Sequence, residues 1–149
     1  MSSIFDLFRK IETEKAPPAP VTHIVAGLGN YGREYEGTRH NAGFSAIDIL
    51  SDRKKLSVTR AKFDALTDET VINGKRILVM KPQLYMNLSG VSVKKAADFY
   101  KIPAENIIVI CDDINLDVGK LRIRRKGSDG GQKGLRNIAE QLGTDAFPR

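Results

Sequence analysis

Four side chains in this 149-residue chain make up a set that could do hydrolytic chemistry: Asn30, His40, Asn87 and Asp112. A neutral imidazole, with an unperturbed pKa of ~6.5, takes a proton from water at neutral pH if a partner holds its other nitrogen. His40 stands in a polar stretch, Thr38-Arg39-His40-Asn41, whereas His23 opens an apolar run and reads as an ordinary strand-start residue. Asp112 follows the apolar run 107–111 and is the carboxylate best placed to orient that imidazole. Asp113 competes for the role, but adjacent residues of an extended chain face opposite ways. Asn30 and Asn87 each offer donors and an acceptor, enough to hold an acyl carbonyl, a water or a developing oxyanion. Each Asn taken alone also suits a turn or a helix cap. The set needs no side-chain nucleophile.

These residues follow segments that read as buried strands. Residues 23–26, 76–80 and 107–111 are short, rich in β-branched types and bounded by Gly, Pro or Asp. Open α/β sheets bind ligands beyond the carboxyl ends of their parallel strands. If the three strands are neighbours, Asn30, Asn87 and Asp112 converge on one rim, and the loop through His40 can reach it. Ala46, Ile47 and Leu50 have helical spacing; so do Val93, Ala96, Ala97 and Tyr100, and Leu135, Ile138, Ala139 and Leu142, which end at Gly143. Leu121-Arg122-Ile123-Arg124 alternates apolar and basic, the pattern of a half-buried strand. The expected fold is α/β, a three-layer sandwich with a mixed, largely parallel central sheet flanked by helices. Residues 21–149 form its one domain. Residues 1–20 read as an extension, an amphipathic helix with Ile4, Leu7, Phe8 and Ile11 on one face and then the proline-rich linker 16–20.

Composition bounds the function. One cysteine, Cys111, excludes a disulfide framework, and two histidines are too few for most His-based metal centres. No run reaches the ~18 apolar residues of a membrane span, and charges at Asp6, Arg9, Lys10 and Glu12 interrupt any secretory h-region, so the expected location is cytoplasmic. Residues 1–74 hold ten basic and ten acidic residues, so the whole net charge of +6 lies in 75–149, with fourteen against eight. Lys120, Arg122, Arg124, Arg125, Lys126, Lys133 and Arg136 fall within 17 residues, opposed there by Asp129. Such a segment suits a polyanion, although a merely solvated basic face explains the charge alone equally well. Gly27, Gly29 and Gly32 match G-x-G-x-x-G, but helical periodicity starts only near Ala42, so a dinucleotide site is rejected.

Several ordered motifs then point one way. Gly27-Leu28-Gly29-Asn30, the run from Tyr35 to Phe44, Lys81-Pro82 with Tyr85-Met86-Asn87-Leu88-Ser89-Gly90, Asp112-Asp113 and Gly130-Gly131-Gln132-Lys133-Gly134-Leu135 together resemble bacterial-type peptidyl-tRNA hydrolase. The resemblance implies hydrolysis of the ester between a peptide's carboxyl and the tRNA 3′-terminal ribose, with tRNA as partner, no metal or organic cofactor, no membrane and a monomeric state. It also implies His40 as general base, Asp112 as its orienting carboxylate and Asn30 as the sensor of the substrate's first peptide bond. Asn87 would position the carbonyl or the water, and Tyr35, Tyr85 and Lys133 would lie at the tRNA- and peptide-binding surface. The sequence departs from the family pattern at Tyr31, where Pro is usual, and at Lys133, where Asn is common. It also stops before the family's further strand, lid segment and C-terminal helix. The alternative is an inactive, hydrolase-like RNA-binding module, against which the joint presence of the four polar residues argues.

Overall fold

The apolar runs fold as their spacing requires. A computed structural model describes Ile4, residues 19–32, Glu34, Gly37, Thr38 and residues 41–149. In order these form β1 (Val21–Gly27), α1 (Ala42–Lys54), β2 (Arg60–Lys62), β3 (Ala65–Ile72), β4 (Lys75–Pro82), α2 (Ser89–Tyr100), β5 (Ile107–Ile110) and α3 (Lys133–Leu142). The sheet order is β2-β3-β4-β1-β5. The three expected strands are indeed neighbours, with β1 parallel to both β4 and β5. The amphipathic segment expected before the linker lies outside the described residues, apart from Ile4.

Alternation along the strands divides the core into two layers. Ile24, Ala26, Leu78, Met80, Ile107 and Val109 turn to one face, where they meet Val93, Ala96 and Ala97 of α2 and Leu135 and Ile138 of α3. Val25, Ile77 and Val79 turn to the other and meet Ile47 of α1. The three-layer sandwich follows. Helix α3 ends at Gly143, whose φ of 73° is left-handed and whose N–H bonds the Ala139 carbonyl at 2.9 Å, the glycine cap expected from sequence.

Two features differ from the sequence expectation. β2 and β3 were not expected; they extend the sheet antiparallel beyond β4, through turns at Phe63-Asp64 and Asn73-Gly74. All four turn residues have positive φ, the geometry of two-residue hairpins that matches strand twist. The second difference is a correction. Residues 121–124 form no strand, and Leu121 and Ile123 are 93% and 88% exposed. Alternation signals a strand only where a ladder and a buried face await it. Here Arg124 exchanges two backbone hydrogen bonds of 2.8 Å with Arg149.

One close approach fixes α1 against the loop after β1. A Cβ at Gly43 would lie 2.4 Å from the Ile110 carbonyl oxygen and from the Leu28 backbone, so this helix turn rests directly on the chain leading to Asn30. Helix α1 starts at Ala42, well beyond Gly32, in keeping with the rejection of a dinucleotide site.

Candidate active site

The parallel order β4-β1-β5 carries the segments after these strands to one rim of the sheet. Asn30 leaves β1, Asp112 leaves β5, and Asn87 sits after β4 on a single 3-10 turn, Met86–Leu88. That turn is held by the Leu88 N–H on the Tyr85 carbonyl and by the Ser89 hydroxyl on the Met86 carbonyl, both at 2.8 Å. Asn87 is exposed, while Asn30 and Asp112 are half-buried. Lys133 is exposed at the start of α3. His40 and Tyr35 lie outside the described residues.

Two supporting residues were not singled out from sequence. The first is Asn41, which is buried and whose Oδ1 accepts the Asn30 N–H at 2.8 Å. A buried Asn immediately after His40 thus anchors the loop on which Asn30 stands. The second is Gln132, the residue that caps α3. Its Oε1 accepts the Leu135 N–H at 2.9 Å, while its Nε2 donates to Asp112 Oδ1 at 3.1 Å and lies 3.3 Å from Met86 Sδ. The usual capping types are Ser, Thr, Asp and Asn, so a Gln there gives no cap signal. A Cβ at Gly134 would lie 2.8 Å from that sulfur and 2.9 Å from that oxygen, so the glycine lets α3 start this close.

On the β4 side of Asn30 opens a cleft of about 410 Å³, lined by Asn30, Tyr31, Phe44, Asp48, Lys81 and Gln83 among others. Lys81 of this lining is paired to Asp48 at 2.8 Å. Tyr31 of this lining packs against Tyr85, with ring centres 5.7 Å apart and planes tilted by 38°, both exposed. On the β5 side the surface is cationic: Lys120, Arg122, Arg124, Arg125, Lys126, Lys133 and Arg136 are all exposed. Arg136 contacts Asp129 at 3.3 Å. That contact and, more strongly, the Gly131 backbone N–H hold the Asp129 carboxyl below its ordinary value.

Cys111, beside Asp112, is no nucleophile. Burial first, and then the Asp112 and Asp113 charges, push its thiol up to about 12, so it stays protonated at neutral pH. The rim thus offers amides, a carboxylate and a cationic surface suited to a polyanion. Among the described residues, no helix is long and apolar enough to cross a membrane.

Comparison with known proteins agrees. Residues 24–149 match the family model described as peptidyl-tRNA hydrolase. The chain is 50% identical over 126 residues to a peptidyl-tRNA hydrolase of Clostridium novyi, covering 85% of this chain and 67% of that protein. It is 53% identical over 127 residues to one of Caldanaerobacter subterraneus, covering 85% and 69%. The crystal structure of peptidyl-tRNA hydrolase from Acinetobacter baumannii superposes with a TM-score of 0.81 at 34% identity, over 89% of this chain and 68% of that one.

Proposed function

The chain belongs to the peptidyl-tRNA hydrolase family, and we propose that it hydrolyses the ester between peptide and tRNA with water as nucleophile and His40 as general base. His40 removes a proton as the water oxygen attacks the ester carbonyl, and Asp112 holds the imidazole with its basic nitrogen towards the water. The tetrahedral intermediate collapses, the bond to the ribose oxygen breaks, and His40 returns the proton to that oxygen. The products are a peptide carboxylic acid, which loses its proton to solvent at neutral pH, and a tRNA with a free 3′-terminal hydroxyl. Asn87 orients the carbonyl or the water, and Asn30 recognises the first peptide bond, so that unblocked aminoacyl-tRNA is spared. Tyr35, Tyr85 and Lys133 contribute to the surface that binds the two ends of the substrate.

The observation that carries these roles is the convergence of Asn30, Asn87 and Asp112 at one rim of the sheet, beside an exposed run of seven cations. That charge gives the substrate a direction. The tRNA phosphates belong on the β5 side, which leaves the neutral peptide the β4 side with Tyr85 and the cleft. We take residues 21–149 as the hydrolase domain and residues 1–20 as an extension to it. The setting is the cytoplasm and translation, where peptidyl-tRNA arises, and the chain acts there as a monomer.

The test is release of the acyl group from N-acetyl-aminoacyl-tRNA and from its unblocked counterpart. Cleavage of the blocked ester with sparing of the unblocked one is expected. Binding of tRNA without cleavage, by a folded chain, would instead favour the inactive RNA-binding module. The cationic surface makes a separate prediction about salt. The logarithm of the tRNA binding constant should fall linearly with the logarithm of salt concentration, with a slope of about −0.7 to −0.9 for each phosphate neutralised. Replacing Arg122 and Arg125 by Ala should make the slope shallower by about one for each phosphate that no longer has its cation. An unchanged slope in a filter-binding titration would move the tRNA path elsewhere.

A further inference from the structure

Gln132 lies where three separate parts of the chain meet. Met86 belongs to the turn carrying Asn87, Asp112 follows β5, and Leu135 lies in the first turn of α3 beside Lys133. One amide touches all three. Its oxygen accepts the Leu135 N–H at 2.9 Å, and its nitrogen donates to Asp112 Oδ1 at 3.1 Å with Met86 Sδ at 3.3 Å. The orientation of the amide is not open to choice: a backbone N–H demands the oxygen, and a carboxylate demands the nitrogen. An amide has one acceptor and two N–H donors, and here each of these faces a partner.

We propose that Gln132 is a positioning residue for the hydrolysis, holding Asp112 in the orientation in which it steadies the His40 imidazole and locking the Asn87 turn to the same point. The proposal rests on the reading of Asp112 and His40 given above. The physical reason is geometric. A carboxylate at the end of a strand keeps torsional freedom about its side-chain bonds, and a general base loses effectiveness steeply when its partner turns away. A hydrogen bond to an ionised acceptor is about twice as strong as one between neutral groups, enough to fix such a torsion. The donor itself is held fixed because its other end is the cap of a ten-residue helix.

Capping and positioning can be separated by substitution. Gln132→Glu keeps an oxygen for the Leu135 N–H, but it replaces the donor facing Asp112 with a second carboxylate oxygen. Gln132→Asn is a strong capping type with a shorter reach, so it protects the helix and withdraws from Asp112. Both should melt within a few degrees of the parent, because the cap survives. With N-acetyl-aminoacyl-tRNA, both should lose roughly tenfold or more in kcat, with KM within about threefold, since the interaction acts on the reacting geometry and not on tRNA affinity. In an Asp112→Asn background the same substitutions should cost little further, because the group they act through is already gone. A fall in folded fraction would appear in both backgrounds equally.

The two failures are distinguishable. If Asp112→Asn lowers kcat but both Gln132 variants turn over like the parent, the positioning role is overturned and the reading of Asp112 stands. If Asp112→Asn itself leaves kcat unchanged, the reading of Asp112 fails and the role of Gln132 goes with it. Losses that multiply fully in the Asp112→Asn background also overturn the proposal, since Gln132 would then act by another route.

Discussion

Replacing His40 with alanine is expected to lower kcat on N-acetyl-aminoacyl-tRNA by about 10²–10⁴-fold, the usual cost of losing a general base, which is the role proposed for it. Water is a poor nucleophile until a proton leaves it, and an imidazole is the side chain whose ordinary pKa suits that task at neutral pH. The chain holds one other imidazole. His23 lies on β1 with its Nδ1 2.7 Å from the Thr22 hydroxyl, away from the strand ends that form the rim. It cannot substitute. Cys111 cannot either, because its thiol stays protonated. The loss should fall on kcat and leave tRNA binding intact, since the cationic surface is untouched. Asn41 remains in place, so the anchor of the Asn30 loop and the melting temperature should persist. Single-turnover release of the acyl group reads the chemical step directly. Turnover within a few-fold of the parent would remove His40 from the mechanism.

The largest expected effect on stability lies near the end of the chain. Phe147 is fully buried and packs in the layer between the sheet and helices α2 and α3, with Ile107, Val109 and Ile138. Replacing it with alanine should cost about 3–5 kcal/mol, the sum of lost transfer energy and an unfilled cavity. A domain of this kind has a total stability of ~5–15 kcal/mol, so the variant would be marginal. The segment is tied down on both sides of the ring. The Val109 N–H donates to the Pro148 carbonyl at 3.0 Å, and Arg149 pairs with the Arg124 backbone, its guanidinium carbon 4.1 Å from the Phe147 ring centre. Urea denaturation gives the check: the midpoint should drop sharply with the slope unchanged. A cost below about 1 kcal/mol would mean that Phe147 does not fill this core.

The sequence by itself determined the middle of the sheet, the three helices α1, α2 and α3 of the described residues, and the family. Runs such as Ile107-Ile108-Val109-Ile110 state their conformation locally, since β-branched side chains bounded by turn residues leave little else to form. The placement of Asn30, Asn87 and Asp112 at one rim was equally legible, because each follows a strand that reads as buried and parallel, and an α/β sheet carries such segments to the same side. The β2–β3 addition was not legible. In Ala65–Ile72 the residues that turn inward include Ala65 and Thr67, too small or too polar to mark a buried face, and Asp68 and Glu69 interrupt the run. Residues 121–124 misled in the opposite direction, since alternation is a local pattern and a ladder needs a partner strand. Gln132 was beyond reach for a further reason. Beside the Leu135 N–H that it caps three residues on, its partners Met86 and Asp112 come from distant stretches of chain, and no local pattern records that they meet. Periodicity is written between neighbours in sequence, whereas hydrogen-bond partners and cavities belong to neighbours in space, which only packing the two helical layers onto the sheet brings into being.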